Sequence, residues 1–437
     1  MNNIKKLLEG VEVEWKPLAY SEYGVAELSR GRVMSKEYLI NNAGEYPVYS
    51  SQTANNGEIG KIRTFDYDGE YVTWTTDGAN AGTVFHRTKK FSITNVCGLI
   101  RIKNTKVLNY KFLFYWLSIE AKKYVYSGMG NPKLMSNQIA KIPIPIPPLE
   151  IQQEIVRILD SFSMLTAELQ AELQARKSQY EYYRNQLLAY PMEESDQSSL
   201  RSNRSATSIQ NSDNSTQPLS TLNPHTGNSV LQPRGKVEWK TLGEIFNIKN
   251  GYTPSKSNQK YWENGTIPWF RMEDIRENGR VLNKSIQYVN SCAIKGGKLF
   301  PANSIIVATS ATIGEHALIT VPFLSNQRFT NLSLKKEYTN KFIIKFLFYY
   351  GFVLDEWCKN NITVGNFAGV DMIGFKKFLI PIPPLEEQER IVSILDKFDT
   401  LTTSLTEGLP KEIELRQKQY EYYRNMLLSF PKNNIKA

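Results

Sequence analysis

The sequence predicts an α+β protein made twice over: two pseudo-symmetric mixed α/β bodies, each followed by a long helix of the coiled-coil type. Three observations predict it. Landmark segments recur in the same order, long stretches carry apolar residues at alternating spacings of three and four, and the remaining segments mix strand-like runs with turn signals.

The repeat is explicit. Val13-Glu14-Trp15-Lys16-Pro17-Leu18 returns as Val237-Glu238-Trp239-Lys240-Thr241-Leu242, and Ile144-Pro145-Ile146-Pro147-Pro148-Leu149-Glu150 returns as Ile380-Pro381-Ile382-Pro383-Pro384-Leu385-Glu386. Gln179-Tyr180-Glu181-Tyr182-Tyr183-Arg184-Asn185 recurs unchanged from Gln419 to Asn425. These landmarks divide the chain into a first body (1–142), a proline hinge and long helix (143–191), a linker (192–235), a second body (236–378) and a second hinge and helix (379–431). A chain of 437 residues exceeds one ordinary hydrophobic core, which agrees with this partition.

In the first body, Tyr71 to Thr76 and Cys97 to Ile102 have strand composition, with turn signals at Asp68-Gly69 and Asn55-Asn56-Gly57. Lys111-Phe112-Leu113-Phe114-Tyr115, echoed by Lys345-Phe346-Leu347-Phe348-Tyr349, starts a helix whose aromatic side packs inward. In the first long helix Ile155, Ile158, Phe162, Leu165, Leu169, Leu173, Tyr180, Tyr183 and Leu187 form a coiled-coil seam, as do Ile391, Ile394, Phe398, Leu401, Leu405, Leu409, Ile413, Tyr420, Tyr423 and Leu427 in the second. A continuous helix from Leu149 to Ala189 would be about 60 Å long. It contains the tandem Ala167-Glu168-Leu169-Gln170 and Ala171-Glu172-Leu173-Gln174, a four-residue repeat that adds a turn while nearly preserving the apolar face. Glu407-Gly408-Leu409-Pro410 predicts a kink or break in the second helix. Residues 193–235 are crowded with Ser, Asn, Gln and Thr and read as a polar linker, although Arg201, Arg204 and Arg234 would also suit a DNA-binding arm. In the second body Ser304 to Thr309 is the matching strand.

Composition narrows the function. The formal net charge of +10 suits a polyanionic partner, because basic surface gains affinity by releasing counterions condensed on nucleic acid. Cys97, Cys292 and Cys358 are far apart and lack a C-x-x-C pair, which argues for a reducing compartment and against a zinc site. Neither the first sixteen residues nor Phe346 to Leu354 has the apolar length of a signal peptide or membrane span, so a cytoplasmic protein with no membrane contact is expected.

Catalytic signatures are missing. Gly128-Met129-Gly130-Asn131-Pro132-Lys133 lacks the second proline and aromatic of an amino-methyltransferase motif, and Lys295-Gly296-Gly297-Lys298 lacks the spacing of a phosphate loop. His86, His225 and His316 show no ligand spacing, and Glu150, Glu154, Glu386, Glu387 and Glu389 sit at helix starts where they complement the dipole. No catalytic, cofactor-binding or metal residue is therefore nominated. Two other classes remain open on the residues alone: a DNA-modifying enzyme with degenerate motifs, and a stand-alone DNA-binding coiled-coil scaffold.

Two bodies, each followed by P-I-P-P-L-E and a helix ending in Q-Y-E-Y-Y-R, resemble the specificity subunits of Type I restriction-modification enzymes. The resemblance rests on Pro145 to Glu150 with Gln153 and Ile158-Leu159-Asp160, and on Pro381 to Glu386 with Gln388 and Ile394-Leu395-Asp396. Within the bodies, Tyr46 to Ser51, Trp74 to Ala79, Ile267 to Arg271, Ala308 to Gly314 and Ser325 to Phe329 look like that family's target-recognition domains. The resemblance implies antiparallel long helices and two domains that each read half of a split, asymmetric DNA site. It also implies recruitment of two methyltransferase subunits and of motor-nuclease subunits. S-adenosylmethionine, ATP and magnesium would then bind those partners and not this chain.

Base contacts require polar side chains in loops, since Asn and Gln pair with adenine, Arg with guanine, and hydroxyls with several edges. The candidates in the first body are Ser51, Gln52, Thr53, Thr75, Thr76, Asp77, Asn80 and Asn131. Those in the second are Thr253, Ser255, Arg271, Glu273, Asp274, Ser310, Thr312, Asn326, Gln327, Arg328 and Asn366, with Arg328 foremost. Tyr183-Arg184 and Tyr423-Arg424 are expected to pack between helices.

Overall fold

The computed structural model describes residues 7–127, 130–191, 237–363, 368–404 and 406–431. The linker with Arg201, Arg204, His225 and Arg234 lies outside them, as does Asn366. The described residues divide between two compact units, one holding positions up to Leu169 and from Ile413 onward, the other running from Gln170 to Glu412.

In the first unit, β1 (Glu14–Pro17) carries the Trp-Lys motif and pairs antiparallel with β10 (Pro143–Ile146), so that Trp15 lies opposite Pro145. Opening motif and proline hinge therefore close the body as a two-stranded ribbon. Between them lie β2 (Ala26–Arg30), β3 (Ala43–Tyr49), β4 (Glu58–Ile62), β5 (Tyr67–Asp68), β6 (Tyr71–Thr75), β7 (Val84–Arg87), β8 (Lys90–Ile93) and β9 (Cys97–Ile102). They form two four-stranded sheets, β2-β9-β6-β7 and β4-β3-β8-β5. The expected strands at Tyr71 and Cys97 are antiparallel neighbours, with Val72 opposite Ile100.

Helix α1 (Tyr110–Glu120) starts where the Asn109 side chain accepts from the Phe112 amide, and it buries Phe112, Leu113, Tyr115, Trp116 and Leu117. The aromatic run thus fills the core, as the pattern predicts.

The second unit repeats the plan. Its ribbon pairs β11 (Glu238–Thr241) with β22 (Leu379–Ile382), setting Trp239 opposite Pro381. Its strands are β12 (Phe246–Asn250), β13 (Ile267–Phe270), β14 (Val281–Leu282), β15 (Tyr288–Val289), β16 (Ser304–Ala308), β17 (His316–Ile319), β18 (Leu324–Ser325), β19 (Phe329–Leu334), β20 (Ile362–Thr363) and β21 (Gly369–Val370). The main sheet has the order β12-β19-β16-β17-β14, and β15-β13-β18 form a smaller one.

The long helices follow the hinges. Helix α2 (Leu149–Leu187) is continuous over 39 residues, about 58 Å at the usual rise, and every seam residue named for it is buried or half-buried. The second copy is divided into α3 (Leu385–Thr403) and α4 (Gly408–Leu427). The break begins at Ser404, ahead of the predicted Glu407-Gly408 position, and the Ser404 hydroxyl accepts from the amides of Thr406 and Glu407.

Within each unit the two helical segments run antiparallel. In the first unit Phe162 stacks on Tyr423 at 5.2 Å, while Trp15, opposite the hinge, donates its indole N–H to Pro431 O at 3.1 Å. In the second, Tyr183 meets Phe398 at 5.3 Å and the guanidinium of Arg184 lies 4.1 Å over Phe352. Tyr183, Arg184 and Tyr423 are thus packing residues, as expected.

A glutamine and an aspartate of each hinge motif fasten body to helix. In the first copy the glutamine that does so is Gln152 and not Gln153, which is exposed and aligns with Glu389 of the second copy. Gln152, fully buried, accepts from Asn109 N at 2.9 Å and donates to Val107 O and Pro147 O, each at 2.8 Å. Gln388 accepts from Ile343 N at 2.8 Å and donates to Lys341 O and Pro383 O, each at 2.9 Å. Just over two turns later, Asp160 accepts from Lys111 Nζ (2.5 Å) and Tyr115 OH (2.7 Å), and Asp396 accepts from Lys345 Nζ and Tyr349 OH, each at 2.6 Å. The aspartate bond and burial together raise the pKa of Tyr115 and Tyr349, burial being the larger cause.

Truncating Gln152 to alanine leaves a buried amide and two carbonyls without their partner, at about 1–3 kcal/mol per group. Gln152→Ala is expected to destabilise the first unit by about 3 kcal/mol or more and to leave the unfolding transition of the second in place, with Gln388→Ala the converse. Urea unfolding of the two variants checks this; equal losses in both transitions would contradict it.

Candidate nucleic-acid interface

In the first body the ends of several strands meet at one edge. Register places Arg30 opposite Gly98, Thr75 opposite Cys97 and Trp74 opposite Val84 in one sheet, and Tyr49 opposite both Glu58 and Ile93 in the other. The loops leaving these ends, 50–57, 76–83 and 94–96, are consequently neighbours. Thr94 Oγ1 donates to Ser50 Oγ at 2.9 Å, and the hydroxyls of Ser51 and Thr76 both donate to Val96 O.

The nominated residues divide on this edge. Gln52, Thr53, Asn80 and Asn131 are exposed, and Asn80 Nδ2 donates to Thr53 Oγ1 at 3.2 Å, which joins two of the loops. Asp77 is half-buried, 3.9 Å from Lys133. Thr75 and Thr76 are corrections: both are fully buried, Thr75 Oγ1 donating to Asn80 O and Thr76 Oγ1 bonding Asp77 and Val96, so their hydroxyls are spent within the loops and not exposed at the edge. Ser51, half-buried and bonded to Val96 O, also shapes the loop.

The second body repeats the arrangement. Asn250 lies opposite Thr330 and Ala308 opposite Phe329, while Phe270 pairs with Ser325 and its carbonyl accepts from Asn326 N at 3.1 Å. The loops after β12, β13, β16 and β18 therefore share one end. Gly251 is required there: a Cβ on it would lie 2.2 Å from Asn326 O.

These loops enclose an open cleft lined by Thr253, Arg271, Asn326, Gln327 and Arg328 of the nominated set, together with Lys256 and Trp269. Thr253 Oγ1 donates to the Gln327 side chain, and Asn326 Oδ1 accepts from Arg328 N at 3.0 Å, an Asx-type turn that presents the exposed Gln327 and Arg328 side chains. Among the described residues the Arg328 guanidinium has neither ion pair nor hydrogen bond. Arg271 sits over Trp269 at 5.6 Å with Glu273 3.9 Å from its Nε, an atom buried without a hydrogen-bond partner. Ser310 and Thr312 are half-buried in the loop after β16, which meets the Arg328 loop through Thr309 N donating to Arg328 O at 3.0 Å. Ser255 is exposed and pairs with Ser257 at 2.8 Å.

Asp274 is a further correction. It is fully buried, accepts from Arg271 N (2.7 Å) and Ile286 N (2.6 Å), and fixes the turn that carries Arg271. Burial raises its pKa, against the two amide bonds that pull it down.

Lys256, Gln259, Trp262 and Gln287 also line the cleft and were not nominated. Lys256 and Gln259 fall in the polar run Ser255 to Lys260, which marks a loop without saying which side of it faces the cleft. Trp262 has no sequence signal, since its indole looks like core until its N–H is seen donating to Ser255 O at 3.1 Å. His316 is buried with its Nδ1 2.6 Å from Asp355 and the Arg280 guanidinium on its carbonyl at 3.0 Å, within the fold below this edge. No helix of the described residues is long and apolar enough to cross a membrane.

The sequence profile described as "Type I restriction modification DNA specificity domain" matches the chain twice, over residues 13–176 and 235–415. A Type I restriction enzyme specificity subunit of Escherichia coli is 36% identical over 99% of this chain and 98% of its own length. The EcoprrI specificity subunit of Escherichia coli is 60% identical over a shorter stretch, 46% of this chain and 52% of that relative. Among solved structures, the S subunit of a Type I restriction-modification system from M. genitalium superposes with a TM-score of 0.52 at 16% identity, covering 98% of both chains, which supports the fold. With two matched domains, a full-length relative above 30% identity and a repeated body-and-helix plan, the chain belongs to the Type I restriction-modification DNA specificity family and is a specificity subunit of that class.

Proposed function

We propose that each body reads one half of a bipartite, asymmetric DNA site through the loop edge described above, and that the chain recruits the subunits that act on the DNA. The supporting observation is the convergence, in each body, of polar side chains from several strand ends onto a single edge. In the second body that edge offers the exposed guanidinium of Arg328, without an ion pair among the described residues, beside Gln327 and Asn326. Arg suits the O6 and N7 acceptors of guanine, and the two amides suit adenine.

The partners are double-stranded DNA and the methyltransferase and restriction subunits of the system. In finer detail, two methyltransferase subunits and the motor-nuclease subunits assemble on this chain in the cytoplasm. The methyltransferase subunits bind S-adenosylmethionine and methylate adenine, and the motor-nuclease subunits use ATP and magnesium. This chain contributes recognition and spacing, and holds none of those cofactors. Helix α2, which continues from the first unit into the second, sets the number of unread base pairs between the half-sites.

Purified chain alone is expected to transfer no methyl group, and addition of the cognate methyltransferase subunit to restore sequence-specific adenine methylation, read by sequencing the methylated bases. Methyl transfer by the lone chain would instead support a modifying enzyme, and full sequence-specific binding that gains nothing from a partner would support a stand-alone scaffold. Arg328→Ala should relax one base position in one half-site, at about 1–3 kcal/mol of discrimination, in a binding competition against single-base variants. Uniform weakening on all sequences would make it a phosphate contact. Inserting a further Ala-Glu-Leu-Gln after Gln174 lengthens the helix by about 6 Å and should widen the methylated site by a base pair or two between unchanged halves. Altered halves with an unchanged gap would contradict the spacer role.

A further inference from the structure

The loop 50–57 of the first body holds an unusual backbone. Asn55, Asn56 and Gly57 are consecutive left-handed residues, with φ of 51°, 53° and 82°. Asn tolerates this region better than most side chains, yet a run of such residues is not adopted without support from outside the loop.

The support comes from Arg87 at the end of β7. Its side chain is almost wholly buried, with Nη2 donating to Asn56 O at 2.8 Å and Nε to Thr73 Oγ1 at 3.3 Å. The guanidinium lies 3.6 Å over the Tyr49 ring and 4.4 Å over Phe85, so aromatic faces hold it where Asn56 needs it. Gly57 completes the fit, since a Cβ there would already be 3.0 Å from Arg87 Nη2 and 3.2 Å from Gln52 O. Nη1 is buried and has no hydrogen-bond partner, and desolvation lowers the pKa of the group. A buried, incompletely bonded cation is a poor way to stabilise a core, but its bond to Asn56 O imposes one loop conformation.

The conformation imposed leaves Gln52 and Thr53 exposed at the loop edge, with Gln52 Nε2 donating to Glu58 O at 2.5 Å, so that its side-chain oxygen is the group left to a ligand, and with Thr53 bridged to Asn80 of the neighbouring loop. We propose that Arg87 is a positioning residue for base discrimination by the first body: it touches no DNA, and fixes the shape of the loop that does. The inference rests on the reading of this edge as a DNA-reading surface and adds a residue that determines its specificity.

The test uses the full chain assembled with its methyltransferase subunits and duplexes carrying the site found by methylome sequencing. The half-site affected by Arg328→Ala belongs to the second body, so the other half reports on the first. Lysine keeps the charge of Arg87 but has a single nitrogen in place of the separate Nε and Nη2 that reach Thr73 and Asn56, and it cannot stack as a plane. Arg87→Lys should therefore reduce the cognate-to-substituted binding ratio at the first body's half by about tenfold or more, the range of a single mismatch, and leave the ratio at the other half unchanged.

A second pair of variants leaves Arg87 in place, in case Arg87→Lys fails to assemble. Asn56→Val opposes the left-handed backbone and should lose the same discrimination, whereas Asn56→Gly keeps that backbone available and should retain the ratio within about twofold. Equal weakening on cognate and substituted duplexes, or equal loss in Asn56→Gly and Asn56→Val, would overturn the positioning role. Absence of discrimination at that half in the wild type would overturn the DNA reading as well, whereas wild-type discrimination that survives Arg87→Lys and Asn56→Val would overturn the positioning role alone.

Discussion

A buried glutamine four residues after the last proline of each hinge ties a recognition body to its helix, and the placement of everything else in the unit follows from that tie. Gln152 and Gln388 each accept from one amide and donate to two carbonyls, so their side-chain amides are fully used. Asp160 and Asp396 add a second fastening eight residues on, through a lysine and a tyrosine of the adjoining helix of the body. Two attachment points along one helix remove the rotation that a single point would allow. An edge that is to read bases, as proposed for these loops, must be held in a fixed orientation, because hydrogen bonds to base edges tolerate little error in direction.

The edges themselves are built from polar groups turned inward. Thr75, Thr76 and Asp274 were all legible as polar residues at strand ends or turns, and each spends its side chain on neighbouring backbone. Thr309, Thr330 and Asn250 bond one another under the second edge, with Thr330 Oγ1 2.8 Å from Thr309 Oγ1 and 3.0 Å from Asn250 Oδ1. Loops held from below in this way can expose Gln327 or Asn80 without collapsing onto them.

Much of this was readable from the residues. The repeated landmarks gave the two-fold plan, the three-four spacing gave the helices to within a few residues, and the Lys-Phe-Leu-Phe-Tyr runs gave core helices, because these signals are local and periodic. The division into units was not readable, since each takes part of α2 and part of the second helical copy, and tertiary pairing leaves no mark on spacing. Whether a threonine faces solvent or its own loop was equally hidden: the same hydroxyl serves both roles, and the strand-end register that decides between them is set by distant partners. Arg87 escaped notice for the same reason, as a cation in a strand gives no sign that two aromatic rings will enclose it.

The glutamine tie has one property that bears on how such bodies diverge. Its partners are main-chain atoms: Asn109 N, Val107 O and Pro147 O in one unit, Ile343 N, Lys341 O and Pro383 O in the other. Asparagine against isoleucine and valine against lysine make no difference to it, since every residue there supplies the same amide or carbonyl. The glutamine joint is thus indifferent to side-chain identity on the body's side, and only the aspartate fastening asks for particular residues, a lysine and a tyrosine one turn apart; the rest of a body is free to drift while its mounting stays unchanged.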